Sequence, residues 1–157
     1  MKQYLLDTNV CAFILRDKYD VRSFLLDAGV DNCHISIITY AELYYGAVNS
    51  SAVEKNLSQL KLFVKGIDVV PMDDVIPVFA QEKVRLRRQG TPIDDFDLLI
   101  GSTAKLYGMT LVTENIKHLG KVEGVAIFVI VSHMYMVVVM DTKLITHTAT
   151  KRKLLGK

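Results

Sequence analysis

The sequence predicts an α/β fold: a central parallel sheet with helices on both faces, built as a single main domain. Three observations carry that prediction. Short apolar, strand-like runs alternate along the chain with amphipathic stretches of helical period. The runs are too short, and too regularly followed by helix, for a hairpin fold, which leaves parallel strands joined by helical crossovers. The chain has 157 residues, of which 50% are hydrophobic and 23% charged. That is enough apolar material for one sizeable core and too much for a disordered chain.

The elements follow in order. Residues 2–6 read as a strand whose apolar run Tyr4-Leu5-Leu6 stops on Asp7. A helix from about Thr8 to Arg16 follows, then another near 19–28 that ends at Gly29. Cys33 to Ile37 is a short strand, and a helix runs from about Thr39 to Val48. In 52–65, Val53, Leu57, Leu60 and Val64 recur at spacings of four, three and four, an amphipathic helix. Ile67 to Val70 is a strand closed by Pro71, and a long helix over 73–89 stops at Gly90. Asp94 opens a helix that ends at Gly108, and Thr110 to Val112 form the next strand. Val125 to Met140, VAIFVIVSHMYMVVVM, is almost unbroken apolar sequence interrupted by Ser132-His133. At 16 residues it is short for a membrane span, which needs about 20, so one or two buried strands are expected.

Charge is unevenly placed. Residues 142–157 hold five of the 19 Lys and Arg and none of the 17 Asp and Glu, so 1–141 carry 14 basic against 17 acidic residues, a net of −3. The overall +2 therefore does not describe a basic nucleic-acid binder; contact with a polyanion has to rest on local patches or bound cations. Cys11 and Cys33 lie in apolar stretches without metal-ligand spacing and read as buried free thiols of a reducing, cytoplasmic setting. No signal peptide is evident at the start.

In an open parallel sheet, ligands bind beyond the carboxyl ends of the strands. Asp7 stands at such an end, Glu42 lies in the apolar helix after the second strand, Asp97 lies in the first turn of DDFDLLIGSTAKLYG, and Asn115 follows the strand MTLV. Each has a structural alternative: Asp7 a helix cap, Glu42 a solvated acid, Asp94 with Asp97 a capping pair, Asn115 a turn former. Their coincidence at one edge is what points to a site. Three carboxylates brought together repel and raise one another's pKa, and a hard divalent cation such as Mg²⁺ or Mn²⁺ relieves that conflict. Such an ion also stabilises phosphoryl charge and acidifies water, so phosphodiester hydrolysis is the matching chemistry.

The blocks LLDTN, ISIITYAELYYGA, GTPIDDFDLLIGSTAKLYGMTLVTEN and VEGV, in that order over residues 1–128, resemble PIN-domain ribonucleases of the VapC toxin type. The resemblance implies a Rossmann-like α/β/α sandwich, a Mg²⁺- or Mn²⁺-dependent endoribonuclease and a VapB antitoxin that blocks the site. It assigns Asp7, Glu42 and Asp97 to the acidic metal positions and Thr8 and Thr113 to supporting hydroxyls. Asn115 matches a fourth position that is Asp in many relatives; Asn is uncharged and a weaker ligand, which leaves the number of metal ions open. Leu119 stands where relatives have Phe, a change of packing rather than of chemistry. After VEGV the pattern departs from the family, and 129–157 read as an atypical extension, an apolar strand-like segment followed by a basic tail.

For RNA, the candidate grip is KVRLRRQG, where Arg85 and Arg88 are three apart and share a helix face, set against a solvated basic helix end. Lys151-Arg152-Lys153 would add unspecific attraction, or merely form a soluble tail. Tyr44 and Tyr45 would stack on a base, or pack in a core or dimer contact. The resemblance further implies a homodimer, a structured RNA such as tRNA cut in a single-stranded loop, and operator DNA bound only through the antitoxin. Two rivals remain. A haloacid-dehalogenase-like phosphotransferase wants a second Asp two residues after Asp7, where this chain has Asn9. A non-catalytic RNA- or protein-binding domain would keep the sheet without the metal.

Overall fold

In chain order the strands are β1 (Tyr4–Leu6), β2 (Cys33–Ser36), β3 (Asp68–Val70), β4 (Thr110–Thr113), β5 (Ile127–Val131), β6 (Tyr135–Val139) and β7 (Ala149–Thr150). The helices are α1 (Thr8–Leu15), α2 (Val21–Ala28), α3 (Ile37–Val48), α4 (Val53–Lys65), α5 (Ile76–Arg88), α6 (Asp95–Tyr107) and α7 (Ile116–Leu119). The structure is a computed structural model and describes residues 1–18, 21–131, 135–139 and 149–150.

The strands lie in one sheet in the order β3-β2-β1-β4-β5-β6-β7. From β3 to β5 every pair is parallel. The chain builds outward from β1 through β2 to β3, then returns to the other side of β1 with β4. That reversal makes the gap between the carboxyl ends of β1 and β4 the switch point, where the helices that follow the two strands leave on opposite faces and a crevice opens. Leu6 pairs with Val112, so Asp7 and Thr113, one residue further along each strand, meet at the mouth of that crevice.

Alternation along the strands divides the core in two. Leu6, Ile35, Val112, Phe128 and Ile130 face α1 to α4, where they pack with Val10, Ile14, Phe24, Leu43 and Leu60. Leu5, Val70, Leu111, Ile127 and Val129 face the other layer, with Leu86, Leu98, Ile100 and Leu119. Both faces of the strands are covered, which is why they read as continuous apolar runs and not as alternating ones. The α/β/α sandwich expected from the sequence is the fold.

Details differ from the sequence expectation. The helix expected from Thr39 begins at Ile37, because Ser36 caps it by accepting a hydrogen bond from the Thr39 amide at 3.0 Å. The helix expected over 73–89 is split: Asp73–Val75 form a 3₁₀ turn, and α5 starts at Ile76 with Pro77 in its first turn, where a missing N–H costs nothing. Gly108 ends α6 in the left-handed conformation, φ 62°, that favours glycine. Gly101 in α6 lets Val122 approach so closely that a Cβ would lie 2.7 Å from its Cγ2.

The apolar run near the end forms two strands. β6 is antiparallel to β5, paired from Ile127↔Val139 to Val131↔Tyr135, and β7 is antiparallel to β6. Only three residues separate β5 from β6, too few for the crossover a parallel neighbour requires. The expected division after residue 128 falls inside β5, so 129–131 complete the last parallel strand. The basic stretch 151–157, with Lys151, Arg152 and Lys153, lies outside the described residues.

Candidate active site

Asp7 holds two positions at once. Its backbone N–H donates to Val112 O at 2.9 Å, extending the β1–β4 ladder, while its side chain caps α1. Oδ1 accepts from the Thr8 amide at 2.7 Å and Oδ2 from the Thr113 hydroxyl at 2.6 Å. The residue is only 4% exposed. The cap and the site are thus the same carboxylate.

From Asp7 a chain of hydrogen bonds reaches each of the other predicted catalytic residues. On one side the Thr8 hydroxyl donates to Glu42 Oε2 on α3. On the other, fully buried Thr113 uses its hydroxyl twice, donating to Asp7 and accepting from the Asn115 amide at 2.8 Å. Asn115 Nδ2 then donates to Asp97 Oδ2 at 3.0 Å, from the turn after β4 to the first turn of α6. Asp94 caps that helix by accepting from the Phe96 amide at 2.9 Å. Glu42, Thr8, Asp7, Thr113, Asn115 and Asp97 therefore form one connected group drawn from α1 and its cap, α3, β4, the cap of α7 and α6.

A residue that the sequence did not single out closes the chain. His118 Nδ1 lies 2.8 Å from Asp97 Oδ2. Its signal was present, because His118 follows Asn115 by three residues and in a helical turn that places both on one side.

The electrostatics match an anionic cluster. Burial pushes the Asp7 carboxyl up to about 6; the hydrogen bonds from Thr113 and Thr8 oppose this, and the charges of Asp97 and Glu42 add to it. Among the described residues no Lys or Arg pairs with any of these three acids. Nor do any three Asp, Glu, His or Cys side chains among them close around one point. The carboxylates are bridged by hydroxyl and amide groups instead. The ligand atoms they offer are hard carboxylate oxygens. Such a set fits a divalent cation of the Mg²⁺ class, which is commonly held by one or two carboxylates and completes its shell with water and phosphate oxygen.

Arg85 does not stand free for a phosphate. Its guanidinium donates to the buried carboxylate of Glu82, with Nη2 to Oε2 at 2.6 Å, and to Lys121 O at 2.7 Å. Lys105 Nζ lies 2.9 Å from the other oxygen of Glu82, so the cluster ties α5 to α6 and to the turn after α7. Burial opposes ionisation of Glu82, but the hydrogen bonds from Arg85 and Lys105 prevail and hold its pKa down to about 2. Arg85, expected to share a phosphate-facing helix face with Arg88, is engaged by an acid one turn earlier. Arg88 is exposed and makes no ion pair among the described residues. Tyr44 and Tyr45 are exposed on α3 rather than in the core, with Tyr44 edge-on to Tyr40. Cys11 and Cys33 are buried free thiols.

The PIN domain family matches residues 4–124. A "tRNA(fMet)-specific endonuclease VapC" of Shigella flexneri is 37% identical over 127 residues, which are 79% of this chain and 95% of that one. The protein of the same description from Salmonella typhimurium is 31% identical, covering 81% of this chain and 97% of its own. The chain belongs to the PIN-domain family, as a VapC-type ribonuclease. The structure of DNA-bound VapBC from Salmonella typhimurium superposes with a TM-score of 0.78 at 31% identity, over 83% of this chain and 100% of that chain. As a member of the VapC group, the chain is an endoribonuclease toxin of a toxin–antitoxin system. Its family is in general dependent on divalent metal. The phosphotransferase alternative falls with this membership, and Asn9, exposed on α1, offers no second acid. No helix among the described residues is long and apolar enough to cross a membrane.

Proposed function

We propose that this VapC-type chain cleaves a structured RNA, a tRNA in the first instance, within a single-stranded loop, at a site built from Asp7, Glu42, Asp97, Asn115, Thr8 and Thr113. The observation that carries the reading is the unbroken hydrogen-bonded chain from Glu42 to Asp97 across the switch point. Asp7 and Asp97, with Glu42 beside them, are the residues that would hold Mg²⁺ or Mn²⁺. When bound, the ion supplies charge neutralisation at the scissile phosphate and a more acidic water.

The remaining work falls to the protein. Thr113 fixes the Asp7 carboxylate through Oδ2, and the Thr8 amide fixes it through Oδ1, so each oxygen keeps one lone pair for a cation. Thr8 orients Glu42, and Asn115 orients Asp97 rather than acting as a fourth ligand in this arrangement. Burial of Asp7 keeps the local dielectric low, which strengthens its attraction for a cation. Arg88, exposed beside Arg87 in the last turn of α5, is the arginine proposed to meet RNA phosphate. The tRNA substrate rests on the printed descriptions of the Shigella and Salmonella relatives. A VapB-type antitoxin as partner, with operator DNA bound through it, rests on VapBC complexes such as the DNA-bound one from Salmonella. A homodimer working in the cytoplasm, where its substrate is, completes the reading.

The test is cleavage of total cellular RNA by wild type, Asp97→Asn and Glu42→Gln, with Mg²⁺, Mn²⁺ and chelator. Loss of cleavage with chelator and in folded variants is expected. Equal cleavage by wild type and Asp97→Asn removes the cluster from the mechanism, and cleavage unaffected by chelator removes the metal. RNA binding without cleavage under every condition would favour the non-catalytic domain.

A further inference from the structure

We propose that His118 is a positioning residue of this site, one that locks the Asp97 carboxylate so that a single oxygen, Oδ1, faces the cation. This rests on the metal-site reading above and extends it to a residue outside the six named there. The geometry is asymmetric. Asp97 Oδ2 accepts two hydrogen bonds, from Asn115 Nδ2 at 3.0 Å and from His118 Nδ1 at 2.8 Å. Oδ1 has no hydrogen bond among the described residues. Asn115 Nδ2 and His118 Nδ1 stand 3.5 Å apart because two donors converge on one acceptor, not because they bond each other.

A ring nitrogen this close to a carboxylate oxygen carries the proton, and Nδ1–H donates from both the neutral ring and the imidazolium. The role therefore does not depend on the charge of His118. Asp97 sits on the first turn of α6 with its side chain 22% exposed, so without the two donors its carboxylate is free to rotate about χ2. Hydrogen-bond partners of this kind fix ligand orientation, and their loss lowers metal affinity or activity by about 10–100-fold. α7, which carries both His118 and the cap position Asn115, is anchored by fully buried Leu119, so the donor is held by packing.

The chemistry of the side chain gives a discriminating test. Asn carries a donor one bond beyond Cγ, as Nδ1 is in His, whereas Gln carries it one bond further out, as Nε2 is. Mn²⁺ binding to the purified full chain is measured by calorimetry for wild type, His118→Ala, His118→Asn, His118→Gln and Asp97→Ala. Mn²⁺ affinity is expected to fall about 10–100-fold in His118→Ala and His118→Gln and to stay within about threefold in His118→Asn. RNA cleavage at saturating Mn²⁺ should recover in the same order. If His118→Ala does not fold, the Asn and Gln variants carry the comparison. Asp97→Ala separates the two claims. Mn²⁺ binding undiminished in Asp97→Ala overturns the site reading itself. Binding lost in Asp97→Ala but retained in His118→Ala, or lost equally in the Asn and Gln variants, leaves the site standing and overturns the role of His118.

Discussion

Replacing Asp7 by Asn should abolish activity and yet stabilise the metal-free protein. Burial pushes this carboxyl up to about 6 in the fold from its ordinary 3.8. That difference of roughly two units corresponds to about 3 kcal/mol, since each unit is worth about 1.4 kcal/mol. The sign follows from proton counts. Between about 4 and 6 the folded chain holds more protons than the unfolded one, so the contribution of this group is intact below the unfolded pKa and is lost as pH rises through the folded value. Above about 6 the full penalty of a buried, ionised Asp7 is present. Asn removes it. Against that gain, the Asn amide meets the Thr113 hydroxyl, which already accepts from Asn115 and now has no acceptor for its own proton. A lost hydrogen bond of this type costs about 1 kcal/mol.

The net expectation for Asp7→Asn is a gain of about 2 kcal/mol at pH 8, which is roughly 4–8 °C in Tm for a chain of this size, and little or no gain at pH 4. Urea denaturation in chelator at the two pH values is the assay. A variant less stable than wild type at pH 8, or equally shifted at both, refutes the assignment of the penalty to ionised Asp7. Divalent cation added back should stabilise wild type and not the variant.

Other substitutions test the surrounding framework. Glu82→Gln should flatten the acid limb: wild type loses stability of order 3 kcal/mol as pH falls from about 4.5 to 2, because a depressed carboxyl stabilises only above its folded value, and the Gln variant should lack that slope in denaturation curves. Arg85→Ala should cost about 1–3 kcal/mol, by unpairing Glu82 and Lys121 O, with RNA affinity nearly unchanged. Arg88→Ala should leave stability alone and lower the salt dependence of RNA binding by about one unit of slope, read by fluorescence anisotropy at several salt concentrations. Gly101→Ala should cost about 1–3 kcal/mol because its Cβ would meet Val122 Cγ2, and adding Val122→Ala should recover part of the loss in urea titrations.

The fold was legible because its cause is local. Runs such as Tyr4-Leu5-Leu6 and Leu111-Val112 have no polar alternation, which only a sheet covered on both faces can use. Asp7 was legible for a similar reason, since an acid ending a buried strand demands an explanation. What sequence did not yield were relations across elements. Nothing in the string says that Thr113 would face Asp7, because that follows from the β1–β4 register; only the family pattern named Thr113. His118 was passed over because a single His near a turn is common, and its meaning comes from Asp97, 21 residues earlier. In the sequence Arg85 has a like-charged neighbour three residues on, Arg88, and an acid three residues back, Glu82; the structure pairs it with Glu82.

The C-terminal strands bear on folding more than on the reaction. β5 is buried from Ile127 to Ile130 and apolar at all five positions. Left as the last strand of the parallel sheet, it would expose a row of unpaired N–H and C=O groups on a flat apolar edge, the kind of template that recruits other chains. β6 pairs with each of its five residues and removes that edge. It attaches on the side of β5 away from β4, so two strands stand between it and β1, and none of the hydrogen bonds from Glu42 to Asp97 passes through it. The sheet therefore separates two tasks by position. Its middle, where the chain reverses direction, concentrates negative charge at a cost in stability, and its far edge contributes backbone pairing that leaves the charged crevice untouched.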